Sequence, residues 1–180
     1  MADFMEVLKE RRAIRAYEQK PIPDELLNQV LEAVRWAPSW ANTQCWEVVA
    51  VRDTAIKEQL QTSLAKGNPA SKAVAEAPVV MVLCGRLKVS GYFKDTATTK
   101  FGDWFMFDLG LAAQTLCLTA HSLGLGTVIA GAFDHNKVKE ILKVPEGYEV
   151  AVVIPMGYPA KGAPAPKRRE VREFTHYDAF

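Results

Sequence analysis

Residues 104–126, WFMFDLGLAAQTLCLTAHSLGLG, form the longest apolar stretch of this 180-residue chain. A membrane-crossing helix needs about 20 residues with few or no charges. Asp108, Gln114 and His121 interrupt this stretch, so it reads as a helix over 104–123, buried in a core and stopped by Gly124. A helix apolar on every side must be covered on every side. The rest of the chain therefore has to supply layers around it.

The flanking sequence supplies them. EAPVVMVLC (76–84) contains a continuous apolar run over 77–85, which predicts a strand buried on both faces. CWEVVAVR (45–52) and YEVAVVIPMGYP (148–159) predict two more strands, and TVIAG (127–131) a short one. Helices are predicted over 3–12, over 24–37 with Asp24 as N-cap, from Asp53 towards a C′ residue at Gly67, over 69–76, and from Asp134 to Leu142. Residues 86–103 carry aromatics and glycine without a period and read as a loop or lid. The expectation is a single α+β (layered α/β) domain over 1–180. Residues 160–180 form a C-terminal extension that cannot build a core alone and is suited to packing on a partner subunit.

Composition excludes several functions. The chain is 49% hydrophobic and 24% charged, with a net charge of +1. No overall field draws it to nucleic acid or a membrane surface. The first residues carry acids before any apolar run and do not read as a leader peptide. Cys45, Cys84 and Cys117 show no CxxC spacing and have apolar flanks. They read as reduced thiols, hence a cytoplasmic protein. His121, His135 and His176 have no metal-ligand spacing. His121 reads as a packing or dimer contact, and His135 as a surface residue after a cap. GLGTVIAG (124–131) holds GxG but not GxGxxG, and it follows a helix, so it is no dinucleotide fingerprint. With metal and hydrolytic chemistry unsupported, a cofactor is the natural carrier of any reaction.

Two stretches offer a cofactor site. In RRAIRAY (11–17), helical spacing continues a stripe of Phe4 and Leu8 into Arg11 and Arg15. Arg11, Arg12 and Arg15 are either solvated cations at a helix C-terminus or a guanidinium cluster for a phosphate. In APSWANTQCWEVV (37–49), Ser39, Asn42, Thr43 and Gln44 lie between Trp40 and Trp46. This is either a polar loop with two core tryptophans or a seat for a flat heterocycle with hydrogen-bonding edges. The second basic run, PKRRE (166–170), lies in the tail.

Together these stretches resemble the nitroreductase family of FMN-dependent oxidoreductases. RRAIRAY is similar to its RRSxRxF-like motif and APSWANTQCW to its APSxxNxQPW pattern. EAPVVMVLC, LGLGT (123–127) and PKRRE follow in the family's order and spacing along essentially the whole chain. The resemblance implies a central, mostly antiparallel sheet flanked by helices, in an intertwined homodimer with FMN at the subunit interface. It implies a ping-pong reaction in which NADH or NADPH reduces the flavin and a quinone, nitroaromatic or similar small acceptor reoxidises it.

Carried over by motif, Arg11, Arg12, Ala13 and Arg15 are cofactor-binding positions. Arg11 serves the phosphate and Arg15 the pyrimidine edge, with Lys167 and Arg169 completing the phosphate site. Pro38, Ser39, Asn42 and Gln44 come from the other subunit. Ile129, Ala130 and Gly131 run beside the isoalloxazine, and Asn68 and Lys72 touch the ribityl chain or pyrimidine. Trp40 and Ala41 face the substrate. Tyr92, Phe93 and Trp104, with Phe101 and Phe105, either stack on it or belong to the core. No side chain is a catalytic acid or base, and no metal is implied. Two departures stand out. Ala13 replaces the usual Ser, removing a hydrogen bond to a charged group worth about 1.5–3 kcal/mol. Cys45 replaces the usual Pro. A flavin-binding sensor or storage protein without turnover is the competing expectation.

Overall fold

The computed structural model describes residues 3–180; Met1 and Ala2, the start of the segment read above as lacking a leader, lie outside them. The elements run α1 (Phe4–Glu10), α2 (Asp24–Arg35), β1 (Trp46–Val51), α3 (Thr54–Gln61), α4 (Ser71–Glu76), β2 (Val79–Arg86), β3 (Tyr92–Phe93), β4 (Thr96–Ala97), α5 (Phe105–Ser122), β5 (Gly126–Thr127), α6 (His135–Leu142) and β6 (Tyr148–Gly157). Short 3-10 turns occur at Trp40–Asn42 and Val171–Glu173.

The main sheet has the order β1-β2-β6-β5, with every neighbouring pair antiparallel. Alternation along β2 divides the core into two layers, as a period of two requires. Val79, Met81 and Leu83 face α2 and α5, while Val80, Val82 and Cys84 face α3, α4 and α6. The sheet is thus covered on both faces, and β2 is buried from Val79 to Gly85. α5 meets its prediction in span and end: Leu109, Ala112, Ala113, Leu116, Cys117 and Ala120 are buried, and Gly124 turns the chain at φ +78. It is not covered on every side, since Met106, Phe107, Gly110 and Gln114 are exposed. Gly126 lies so near Ile14 that an added Cβ would sit 2.6 Å from Ile14 Cγ1. No helix among the described residues is long and apolar enough to cross a membrane.

Several local expectations are corrected. α1 stops at Glu10, because Arg11 turns to ψ 130. Val7 is its buried residue, while Phe4 and Leu8 are exposed. Pro23, not Asp24, precedes α2, and Asp24 pairs with Arg52 at 2.6 Å. α3 ends at Gln61 because Leu64 leaves to bridge Phe133, so Gly67 lies in a loop beyond it. The 127–131 strand pairs at Thr127 and again, singly, at Ala130 with Val153. Residues 86–103 hold the small β3–β4 hairpin.

Candidate functional site

The segment 11–17 is extended, so Arg11 and Arg15 do not share a helical face. Ala13 bridges Thr127 in parallel, and the Ile14 amide donates to the Thr127 carbonyl at 2.9 Å. Ile14 and Tyr17 are buried anchors. The Tyr17 phenol lies 2.7 Å from the Ile14 carbonyl and 2.9 Å from the Pro155 carbonyl, and its burial raises its pKa. Between these anchors Arg15 is exposed. Arg12 instead caps its own helix, donating to the carbonyls of Lys9 and of Arg11 (2.9 Å). For Arg12 the helix-terminus reading accounts for these bonds.

Arg15 stands between two adjoining cavities. One, of about 410 Å³, is lined by Arg15, Asn68 and the backbone region 128–132. The other, of about 450 Å³, is lined by Ala13, Arg15, Lys72 and residues 161–164. The structure therefore groups Ala13, Arg15, Asn68, Lys72, Ile129, Ala130 and Gly131. An added Cβ at Gly131 would meet nothing within 4 Å, so the backbone there borders open space. Asn68 is engaged within this wall: its amide donates to the Ala132 carbonyl (3.1 Å) and accepts from the Ala70 amide (2.9 Å). Lys72 reaches Glu76 at 3.5 Å. Arg12 shares a third cavity, of about 310 Å³, with Arg168, whereas Arg169 lies over the Phe174 ring and Lys167 is exposed on the tail.

The second predicted stretch forms a tight turn before β1. Ala41, Asn42 and Gln44 all have left-handed backbone, at φ 44, 55 and 48. Each such non-glycine residue costs on the order of 1 kcal/mol or more, so the surroundings must hold the turn. Ser39 Oγ accepts from the Gln44 amide at 2.9 Å, and the Thr43 amide donates to the Trp40 carbonyl at 2.8 Å. Asp108 of α5 accepts from the Trp40 amide at 3.0 Å. Trp40 packs on Trp104 with ring centroids 5.9 Å apart, and Phe101 and Phe107 lie 5.7 and 5.5 Å from Trp104. Phe93 stands out into solvent, while Phe105 belongs to the core, filling the space that a side chain at position 85 would need.

The thiols are quiescent. Burial and the neighbouring Asp108 carboxylate push the Cys45 pKa up to about 12. Burial pushes Cys84 up to about 11. All three cysteines are free. His135 is only partly a surface residue, since its ring stacks on Phe133 at 4.1 Å and its Nδ1 lies 2.7 Å from the Val150 carbonyl. No cluster able to hold a metal occurs among the described residues.

The two stretches lie at opposite corners of the sheet. Thr127 is level with Met156 and Val79, whereas Trp46 is level with Gly85. Six residues along β2 span about 20 Å, and crossing from β1 to β5 adds about 14 Å. The sequence does not single out Asp108, the residue that contacts this turn, because there it only interrupts an apolar helix. Its one legible signal was a carboxylate in a stretch that had to be buried.

The sequence pattern described as the nitroreductase family matches residues 8–158. The chain is 30% identical to the FMN reductase [NAD(P)H] of Bacillus subtilis, across 100% of this chain and 75% of that protein. It is 32% identical to the NADH dehydrogenase of Thermus thermophilus, across 84% of each. The structure of an FMN-dependent nitroreductase from Clostridium difficile superposes with a TM-score of 0.82 at 26% identity, covering 98% of this chain and 99% of that one.

Proposed function

Because the chain belongs to the nitroreductase family, we propose that it is an FMN-dependent oxidoreductase, drawing hydride from NADH or NADPH and reducing small quinone or nitroaromatic acceptors by a ping-pong route. The observation that carries this reading is the groove around Arg15, walled by residues 128–132 and carrying Lys72 and Lys161 beside the single carboxylate of Glu76. Its donor set suits FMN: a guanidinium and an ammonium for anionic groups, beside a backbone open enough at Gly131 for a flat ring. The names of the B. subtilis and T. thermophilus relatives support the same cofactor and donor class.

FMN, when bound, supplies the hydride-accepting chemistry that no side chain of this protein offers. Arg15 fixes positive charge beside the groove and favours negative charge developing there. Arg11, with Lys167 and Arg169, serves the phosphate. Ser39, Asn42 and Gln44 offer hydrogen-bonding groups, and Trp40 and Trp104 offer aromatic surface to a planar acceptor. These groups lie too far from Arg15 to close one small site within a chain. A second copy supplies them: the protein acts as a homodimer, with residues 160–180 of the single domain wrapping the partner. α5 is the natural seam, since Met106 and Phe107 are each 57% exposed and Gly110 and Gln114 continue the open stripe. The three reduced thiols fit a cytoplasmic setting.

Steady-state rates test the reaction order. Varying NADH at several fixed quinone concentrations should give parallel double-reciprocal lines. Intersecting lines would contradict the ping-pong route.

A further inference from the structure

Asp108 is fully buried, in the first turn of α5. A buried carboxylate must be supplied with donors, because losing water without them is costly. No Lys, Arg or His side chain pairs with it among the described residues. Its donors come from the turn before β1. The Trp40 amide lies 3.0 Å from Oδ1, and the Cys45 thiol lies 3.5 Å from Oδ2. These two residues bracket the left-handed positions Ala41, Asn42 and Gln44. One carboxylate thus grips both ends of a turn that its own backbone energetics oppose. The other hydrogen bonds within the turn, accepted by Ser39 and Trp40, are local, so besides the packing of Trp40 on Trp104 it is Asp108 that ties the turn to α5.

We propose that Asp108 is the positioning residue of the cofactor site. One carboxylate oxygen takes the Trp40 amide and the other the Cys45 thiol, and together they hold the strained turn that presents Ser39, Asn42 and Gln44 to the flavin. The inference rests on the flavin reading above. It gives Cys45 a defined task as a buried donor, with no redox part.

The test compares wild type with Cys45→Val, which keeps the bulk and removes the donor, and Cys45→Ser, which keeps a donor. Asp108→Asn serves as a second probe from the other side of the contact. Amide hydrogen exchange over residues 38–46 is measured in the flavin-free protein, and FMN Kd by fluorescence quenching. Far-ultraviolet circular dichroism checks that each variant is folded. Cys45→Val should speed exchange in the turn and weaken FMN about tenfold, the effect of leaving one buried acceptor unpartnered. Asp108→Asn should do likewise, and Cys45→Ser should restore both readings. Unchanged exchange in a folded Cys45→Val protein, or a Ser variant behaving like Val, overturns the inference. Faster exchange with unaltered FMN Kd also overturns it, since the turn's order would not serve the flavin. A wild-type protein that binds no FMN overturns the functional reading instead, and the exchange data then decide alone whether Asp108 holds the turn.

Discussion

Arg12 and Arg15 are three residues apart and have opposite surroundings. Arg12 spends its guanidinium on the carbonyls that end α1, while Arg15 faces a groove. The sequence displays both as equal cations. What separates them is the docking of Ile14 and Tyr17 onto β5 and β6, a tertiary event that no local spacing encodes. Cys45 carries a prediction at the same scale. Its folded pKa is raised to about 12 from an ordinary value of 9.0, by burial and by Asp108. Through that window the unfolded chain releases a proton that the folded chain keeps, so stability falls as pH rises from about 9 towards 12. Below 9 both states hold the proton and Cys45 adds no slope. Thermal midpoints measured across pH 8–11 should therefore fall more steeply in wild type than in Cys45→Ser. Equal slopes would show that the thiol is not held as described.

Among the elements, α5 is the most legible, because an apolar run broken by three polar residues reads as a core helix, although one stripe of it stays open in the single chain. Its length, its end at Gly124 and its buried face all follow from that pattern. The exceptions follow from long-range contacts. α1 unwinds at Arg11 and α3 at Thr62 because strand-like bridges to Thr127 and Phe133 claim the following residues. The 40–44 turn looked polar in sequence, but its left-handed backbone was invisible without Asp108 from 60-odd residues away. Gly110 tests the role of α5. It lies on the open stripe with nothing within 4 Å of an added Cβ. Gly110→Glu should favour the helix in a single chain by roughly 0.5 kcal/mol. Set against a second α5, the same charge would be buried without a partner. The variant should keep its helical circular dichroism, yet elute as a monomer and lose flavin. A Gly110→Glu dimer with full flavin would place the seam elsewhere.

For the whole molecule, fold and family follow from motifs in order: four of the five lie within the matched region 8–158, and PKRRE (166–170) lies beyond it. The site is harder to read because, in the homodimer proposed above, a second copy completes it. The groove at Arg15 and the turn at Ser39–Gln44 sit at opposite corners of the sheet. Each half alone resembles ordinary surface: solvated cations at one end, a polar loop over tryptophans at the other. The central claim is that the assembled protein holds a flavin and accepts hydride on it. The most direct measurement is the visible absorption spectrum of the purified protein, supplied with FMN and then treated anaerobically with NADH or NADPH. A protein-bound flavin spectrum that one nucleotide bleaches, and that a quinone then restores, is the predicted result. A bound flavin that neither nucleotide bleaches would mark a binder without turnover. A protein that stays colourless after incubation with FMN would contradict the account at its base.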